Sequence, residues 1–198
     1  MTRTVVVATF NRHKLREITG ILPGLDLELK SLADFPGAVP PDEDGATLEE
    51  NALKKARSAA AFTGLWALAD DTGLEVDALG GAPGVRSARY AGEAATPAGN
   101  NALLLAELSG VPPEKRTARF VCVMALVPPS GEPVISRGVL EGRICAGPRG
   151  GEGFGYDPLF ELAGSARTLA ELTAAEKNSL SHRALALKGI LPALRALS

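Results

Sequence analysis

Hydrophobic and polar positions follow two rhythms along this chain, and each switch between them marks an element. "TVVVA" (4–8) is a β-branched run suited to a buried strand, and after "TFN" the apolar residues Leu15, Ile18 and Leu22 recur at helical spacing. A strand, a short loop and a helix are predicted. Pro36 to Gly45 reads as a loop carrying Asp42, Glu43 and Asp44. Thr47 with Glu50 forms a capping box, and Leu48, Ala52, Ala56 and Ala59 make the buried stripe behind it.

"LWALA" (65–69) predicts a second buried strand ending at Asp70 and Asp71, with "LEVDAL" (74–79) as its partner across a turn at Thr72 and Gly73. Thr96 and Pro97 open a helix that Gly110 closes. "RTARFVCVMALV" (116–127) and "EPVISRGVLEGRI" (132–144), joined through "PPSG", predict a long hairpin. "GPRGGEGFGYDPLF" (147–160) is a glycine-dense loop entering a short strand, and Thr173 with Glu176 forms a second capping box. In one straight helix from there, advancing roughly 100° per residue, His182 and Arg183 would lie away from the face of Lys177. Either only one of these polar groups points at a ligand or the helix breaks near Ser179 to Ser181; the break is preferred, because serine is a good cap for a new helix starting at His182. The mixed order of strands and helices predicts a single α/β domain over 1–198, an elongated mixed β-sheet flanked by helices.

Composition narrows the partners. The chain has 198 residues and a net charge of −2, with both signs mixed along its length. There is no basic stripe to track a nucleic-acid backbone, so no nucleic-acid partner is expected. Cys122 and Cys145 lie in apolar strand-like stretches and are read as buried free thiols. The apolar run in "MTRTVVVATF" is too short for a signal segment or a membrane span, so a cytoplasmic protein with no membrane partner is expected.

Three constellations carry chemistry. In "ATFNRHK" a strand ends at Thr9, passes Asn11 and enters a helix with Lys14 in its first turn, which suits a phosphate group, although a capped surface helix has the same look. Glu43, Asp70 and Asp71 offer hard carboxylate oxygens without clustered Cys or His, which suits Mg²⁺ that keeps waters and takes substrate phosphate oxygens. The bland alternatives are a solvated loop charge for Glu43 and a turn or cap for one aspartate. Adjacent residues of a strand point to opposite faces, so one of the two acids is expected to face the site while the other serves locally. "FGYD" (154–157), with Lys177, His182 and Arg183, offers an aromatic to stack on a base and polar groups to read its edge, against a reading as core aromatics and a surface cation. Lys55 reads by default as a surface charge. Together the three describe a nucleoside triphosphate site without a Walker loop.

"TFNRHKLREI", "GATLEENALKKARSAA", "LADDTGLEVDALGGAPGVRSARYAG", "GFGYDPLF" and "LTAAEKNSLSHRALAL" closely resemble, in order, the inosine triphosphate pyrophosphatase family of XTP/dITP diphosphatases. The resemblance implies that family's fold and a Mg²⁺-dependent homodimer that hydrolyses ITP, dITP and XTP to the monophosphate and pyrophosphate. Carried over, Thr9, Phe10, Asn11, Arg12, His13 and Lys14 would hold the triphosphate, with Lys55 adding positive charge. Glu43 and Asp71 would serve the metal, and Asp71 would also accept the proton of the attacking water. Thr72, Phe154, Gly155, Tyr156, Asp157, Lys177, His182 and Arg183 would bind the nucleotide, with Arg183 or a backbone N–H donating to the 6-oxo group. Phe10 stands where the family often has a small residue, Thr72 where serine is common, and Asp44 where threonine is frequent. A diphosphatase for other modified nucleotides and a non-catalytic nucleotide-binding module are the alternatives.

Overall fold

The computed structural model describes residues 3–22 and 24–198; Met1 and Thr2 of the opening segment lie outside it. Among the described residues seven strands are hydrogen-bonded in the order β2 (Leu27–Ser31), β1 (Arg3–Val7), β3 (Trp66–Val76), β5 (Thr117–Val127), β6 (Val134–Ile144), β7 (Phe160–Leu162), with β4 (Pro83–Gly84) paired to β3. β1 runs parallel to β2 and β3, whereas β3–β4 and β6–β7 are antiparallel, so the sheet is mixed as expected. The helices are α1 (Arg12–Ile21), α2 (Leu48–Thr63), α3 (Pro97–Glu107), α4 (Ala174–Leu180) and α5 (His182–Arg195). Among the described residues no helix is long and apolar enough to cross a membrane.

Contacts divide the chain into two compact units, one of residues 1–71, 122–138 and 183–198, the other of residues 72–121 and 139–182. In the first unit the period of two along the strands sorts side chains into two separate cores. Val5, Val7, Leu68, Cys122, Met124 and Leu126 pack with Ile18 of α1 and with Leu187 and Ile190 of α5. Their neighbours Val6, Ala8, Ala67, Ala69, Val123 and Ala125 pack with Ala52, Ala56, Ala59 and Ala60 of α2. The α2 stripe is thus nearly as predicted, and Leu48 is only partly buried beside it.

The second unit has its own core, in which Leu74, Leu104, Phe120, Leu159, Phe160 and Leu169 are buried. Thr96 caps α3 by accepting from the Gly99 N–H. The helix ends at Glu107, before Gly110, which lies in the following turn with φ +81°. Cys122 is buried, but Cys145, just past the end of β6, is only partly so; its thiol lies 3.0 Å from the Gly147 carbonyl.

One prediction fails in an informative way. "ADDTG" is no turn: β3 runs unbroken from Trp66 to Val76, and Leu74 and Glu75 pair with β4 rather than forming a separate strand after a reversal. Asp70 and Asp71 therefore lie within a strand, not at its end. The break near Ser181 is found as read. Its backbone is extended (φ −63°, ψ 158°) between α4 and α5.

Gly142 tests how tightly β6 and β7 meet. A Cβ there would come within 2.3 Å of the Glu161 carbonyl oxygen and 2.6 Å of the Phe160 ring, whereas one at Gly147 meets nothing within 4 Å. Gly142→Ala should cost about 1–3 kcal/mol through overpacking. Thermal denaturation should show a clear drop for this variant and none for Gly147→Ala.

Candidate active site

The two adjacent aspartates follow the alternation of their strand. Asp70 continues the face of Leu68, and Asp71 continues the face of Ala67 and Ala69. Both are buried, and each finds a different set of cations.

Asp70 Oδ2 lies 3.1 Å from Lys14 Nζ of α1 and accepts from Arg183 of α5 at 3.0 Å (Nη2) and 3.3 Å (Nε). Arg183 Nη1 also donates to Glu17. The guanidinium is fully buried, and its charge is held by carboxylates from β3 and α1. Burial by itself pushes the Asp70 carboxyl up, but the Lys14, Arg183 and Lys55 charges overcome it and hold the group well below the usual carboxylate range. Asp70 therefore stays ionised.

Asp71 meets α2. Lys55 Nζ donates to its Oδ1 at 2.6 Å and lies 2.9 Å from Glu43 Oε1. Asn51 Nδ2 reaches its Oδ2 at 3.3 Å. Lys55 is thus no surface charge. It is buried, with Asp71, Asp70 and Glu43 raising its pKa against the opposing effect of burial. Burial pushes the Asp71 carboxyl above its ordinary value, only partly offset by Lys55 and Lys14. A carboxylate with raised proton affinity is closer in strength to a useful base near neutral pH.

Among the described residues no group of three or more His, Cys, Asp or Glu side chains could hold a metal ion. Glu43 and Asp71 nevertheless direct one oxygen each at a single cation, the Lys55 ammonium. Two hard oxygen donors sharing one positive charge fit a divalent ion that takes its remaining ligands from water and phosphate. Asp44 is engaged elsewhere, in an exposed pair with Lys54 at 2.6 Å.

The "TFNRHK" segment makes its own cap. Asn11 Oδ1 accepts from the His13 N–H at 2.9 Å and the Lys14 N–H at 3.4 Å, and Thr9 Oγ1 accepts from the Asn11 N–H at 3.1 Å. Arg12 and His13 are exposed at the helix start, His13 Nδ1 lies 3.1 Å from Arg16 Nη2, and Phe10 is 43% exposed beside them.

In the second unit the "FGYD" loop is held from within. Asp157 Oδ2 accepts from the Phe154 N–H at 2.8 Å and from Lys177 Nζ at 2.6 Å, and that ammonium sits 5.0 Å from the centre of the Phe154 ring. Gly153, with φ +75°, allows this closure, since a Cβ there would lie 2.1 Å from Asp157 Oδ2. The Gly155 carbonyl accepts from Asn101, and the Tyr156 hydroxyl donates to the Ser87 carbonyl at 2.9 Å. His182 stacks on Phe120 with centroids 4.6 Å apart. Thr72 is half-buried on β3. Asp157 and Lys177 thus shape the loop that carries Phe154.

Sequence reasoning missed Asn51, Glu17 and Asn101. Asn51 had a readable signal: it stands four residues before Lys55, on the same face of α2.

A family model described as the Ham1 family matches residues 5–193. The chain belongs to that family. It is 57% identical over 187 residues to the dITP/XTP pyrophosphatase of Geobacter sulfurreducens, covering 94% of each chain. With the dITP/XTP pyrophosphatase of Elusimicrobium minutum it shares 53% identity over 190 residues, covering 94% of this chain and 96% of that one. Among solved structures, a HAM1 protein from Coxiella burnetii superposes with a TM-score of 0.89 at 43% identity, covering 98% of this chain and 100% of that one. The Staphylococcus aureus Ham1 protein does so with a TM-score of 0.87 at 35% identity, covering 99% and 100%.

The helix that carries Lys177 gives a pH test. Glu176 accepts from the Thr173 N–H at 2.8 Å and its hydroxyl at 2.9 Å, and pairs with Arg167 at 2.9 Å; these contacts, the backbone one first, hold its carboxyl down to about 2. A depressed carboxyl stabilises the fold above its unfolded pKa, and that contribution is lost as pH falls through the folded value. Glu176→Ala should melt below the wild type at neutral pH. The gap should close as pH falls from 4.5 towards about 2, followed by circular dichroism.

Proposed function

We propose that this protein hydrolyses the non-canonical purine nucleoside triphosphates dITP, XTP and ITP to the monophosphate and pyrophosphate, with Asp71 as the base. The observation that carries this is the Asp71 environment: a buried carboxylate, raised in proton affinity, set among Lys55, Asn51 and Glu43. The names of the relatives, dITP/XTP pyrophosphatases at more than half identity, supply the substrate class.

In this reading Asp71 takes a proton from the water that attacks the α-phosphorus, and pyrophosphate leaves as one unit. Lys14 and Lys55, held until then by Asp70, Asp71 and Glu43, offer their ammonium groups to the polyphosphate oxygens as charge develops. Glu43 and Asp71 would hold Mg²⁺, which when bound neutralises phosphate charge. Because the Asn11, His13 and Lys14 amides are engaged by the cap, the "TFNRHK" turn is assigned to the phosphates through the exposed Arg12 and His13 side chains at the start of α1. The family resemblance assigns the base to Phe154, which Asp157 and Lys177 keep in place within its own loop. The Arg183 donors are engaged by Asp70 and Glu17, so the 6-oxo group is assigned to a backbone N–H, the other donor the sequence allowed. Adenine presents an amino donor at that position, and a donor facing a donor costs about 1–3 kcal/mol. A homodimer, resting on the family resemblance, and a cytoplasmic location belong to the same proposal.

Pyrophosphate and orthophosphate release should be measured separately from dITP, XTP, ITP, ATP and GTP. Pyrophosphate from the first three, with little from ATP or GTP, is the expected result; orthophosphate, or indifference to the base, overturns the reading. Asp71→Asn should fold and still bind nucleotide while turnover falls by about 10²–10⁴-fold, the range for loss of a general base. EDTA should abolish pyrophosphate release and added Mg²⁺ restore it, as coupled phosphate assays would show.

A further inference from the structure

Asn51 lies in the interior of α2, where asparagine is a weak helix former, and it is only 1% exposed. A buried amide is tolerated when both its ends are bonded. Here both are, and the partners differ. Oδ1 accepts from the Gly45 N–H at 2.8 Å, and Nδ2 faces Asp71 Oδ2 at 3.3 Å. The orientation of the amide is dictated by chemistry, since a backbone N–H can only donate and an ionised carboxylate can only accept. Gly45 fits this closeness, because a Cβ there would lie 2.6 Å from Asn51 Oδ1.

The other oxygen of Asp71 is bonded to Lys55, one helical turn further along the same face. Two donors on one rigid helix therefore fix both oxygens of one carboxylate. Lys55 brings a charge; Asn51 brings none. The same amide ties down the backbone two residues after Glu43, so one side chain sets the acidic loop and Asp71 relative to each other.

We propose that Asn51 is a positioning residue for the reaction, acting through Asp71: it fixes the orientation of the Asp71 carboxylate and the register of the loop that carries Glu43. This rests on the reading of Asp71 as the base. Misplacing a reacting group by a fraction of an ångström to an ångström lowers turnover without removing the groups that bind substrate.

The test compares wild type, Asn51→Asp, Asn51→Leu and Asp71→Asn in pyrophosphate release from XTP with Mg²⁺, with melting temperatures for all four and for the double variant N51D/D71N. N51D keeps the acceptor for Gly45 and loses the donor to Asp71; N51L has similar volume and loses both. Expected are a kcat lowered by about tenfold or more in both Asn51 variants and a KM changed by less than about threefold, a split that general loss of structure does not produce. N51D/D71N restores an amide facing a carboxylate, with the roles exchanged, and should melt above N51D. The proposal is overturned by a kcat within about twofold of wild type, by a KM that rises with kcat unchanged, or by a double variant that melts no higher than N51D. Should D71N keep wild-type turnover, the base assignment itself fails, whatever the Asn51 variants do.

Discussion

The site depends on the alternation of side chains along β3. Two consecutive acids in an extended strand cannot share a face, so Asp70 turns to α1 and α5 while Asp71 turns to α2. Each face presents its own cations, and the two carboxylates acquire opposite character from the same strand. Lys14 and Arg183 hold Asp70 strongly ionised, whereas burial outweighs the partners of Asp71 and raises its proton affinity. Identical side chains one residue apart are thereby separated into a fixed charge and a group that can accept a proton.

Burying so many charges works against stability unless every one is compensated, and even then a hydrophobic replacement is often as stable. The buried set Asp70, Asp71, Lys55 and Arg183, with Glu17, Lys14 and Glu43 partly exposed around it, is therefore hard to account for by folding alone. Under the proposed chemistry the arrangement has a use. The Lys55 ammonium, already buried and paired with carboxylates, can be redirected to phosphate oxygens with little reorganisation, which is the condition under which electrostatic stabilisation is most effective.

Much of the fold was legible because it obeys local rules. The β-branched run of β1, the Thr173 and Glu176 box and the serine break before His182 are decided by neighbours in sequence. The turn expected at Thr72 and Gly73 failed because aspartate and glycine are turn formers only when nothing else takes their backbone groups, and here the strand pairing of β3 continues. The site was legible in part. Residue type pointed to Lys14, Asp71 and Lys177, but which acid each cation meets depends on helix packing and strand register, which one chain does not display. Arg183 looked like a base reader until its depth and its two carboxylates were visible. Asn51 was passed over because an asparagine on a helix ordinarily signifies solvent.

The alanines of α2 carry a further meaning. Ala52, Ala56, Ala59 and Ala60 pack this helix on the sheet through methyl groups, and from the same helix Asn51 and Lys55 reach Asp71. The hydrophobic layer there acts as a spacer between the carboxylate and these two donors. A bulkier side chain along that stripe would lift two donors from the carboxylate together.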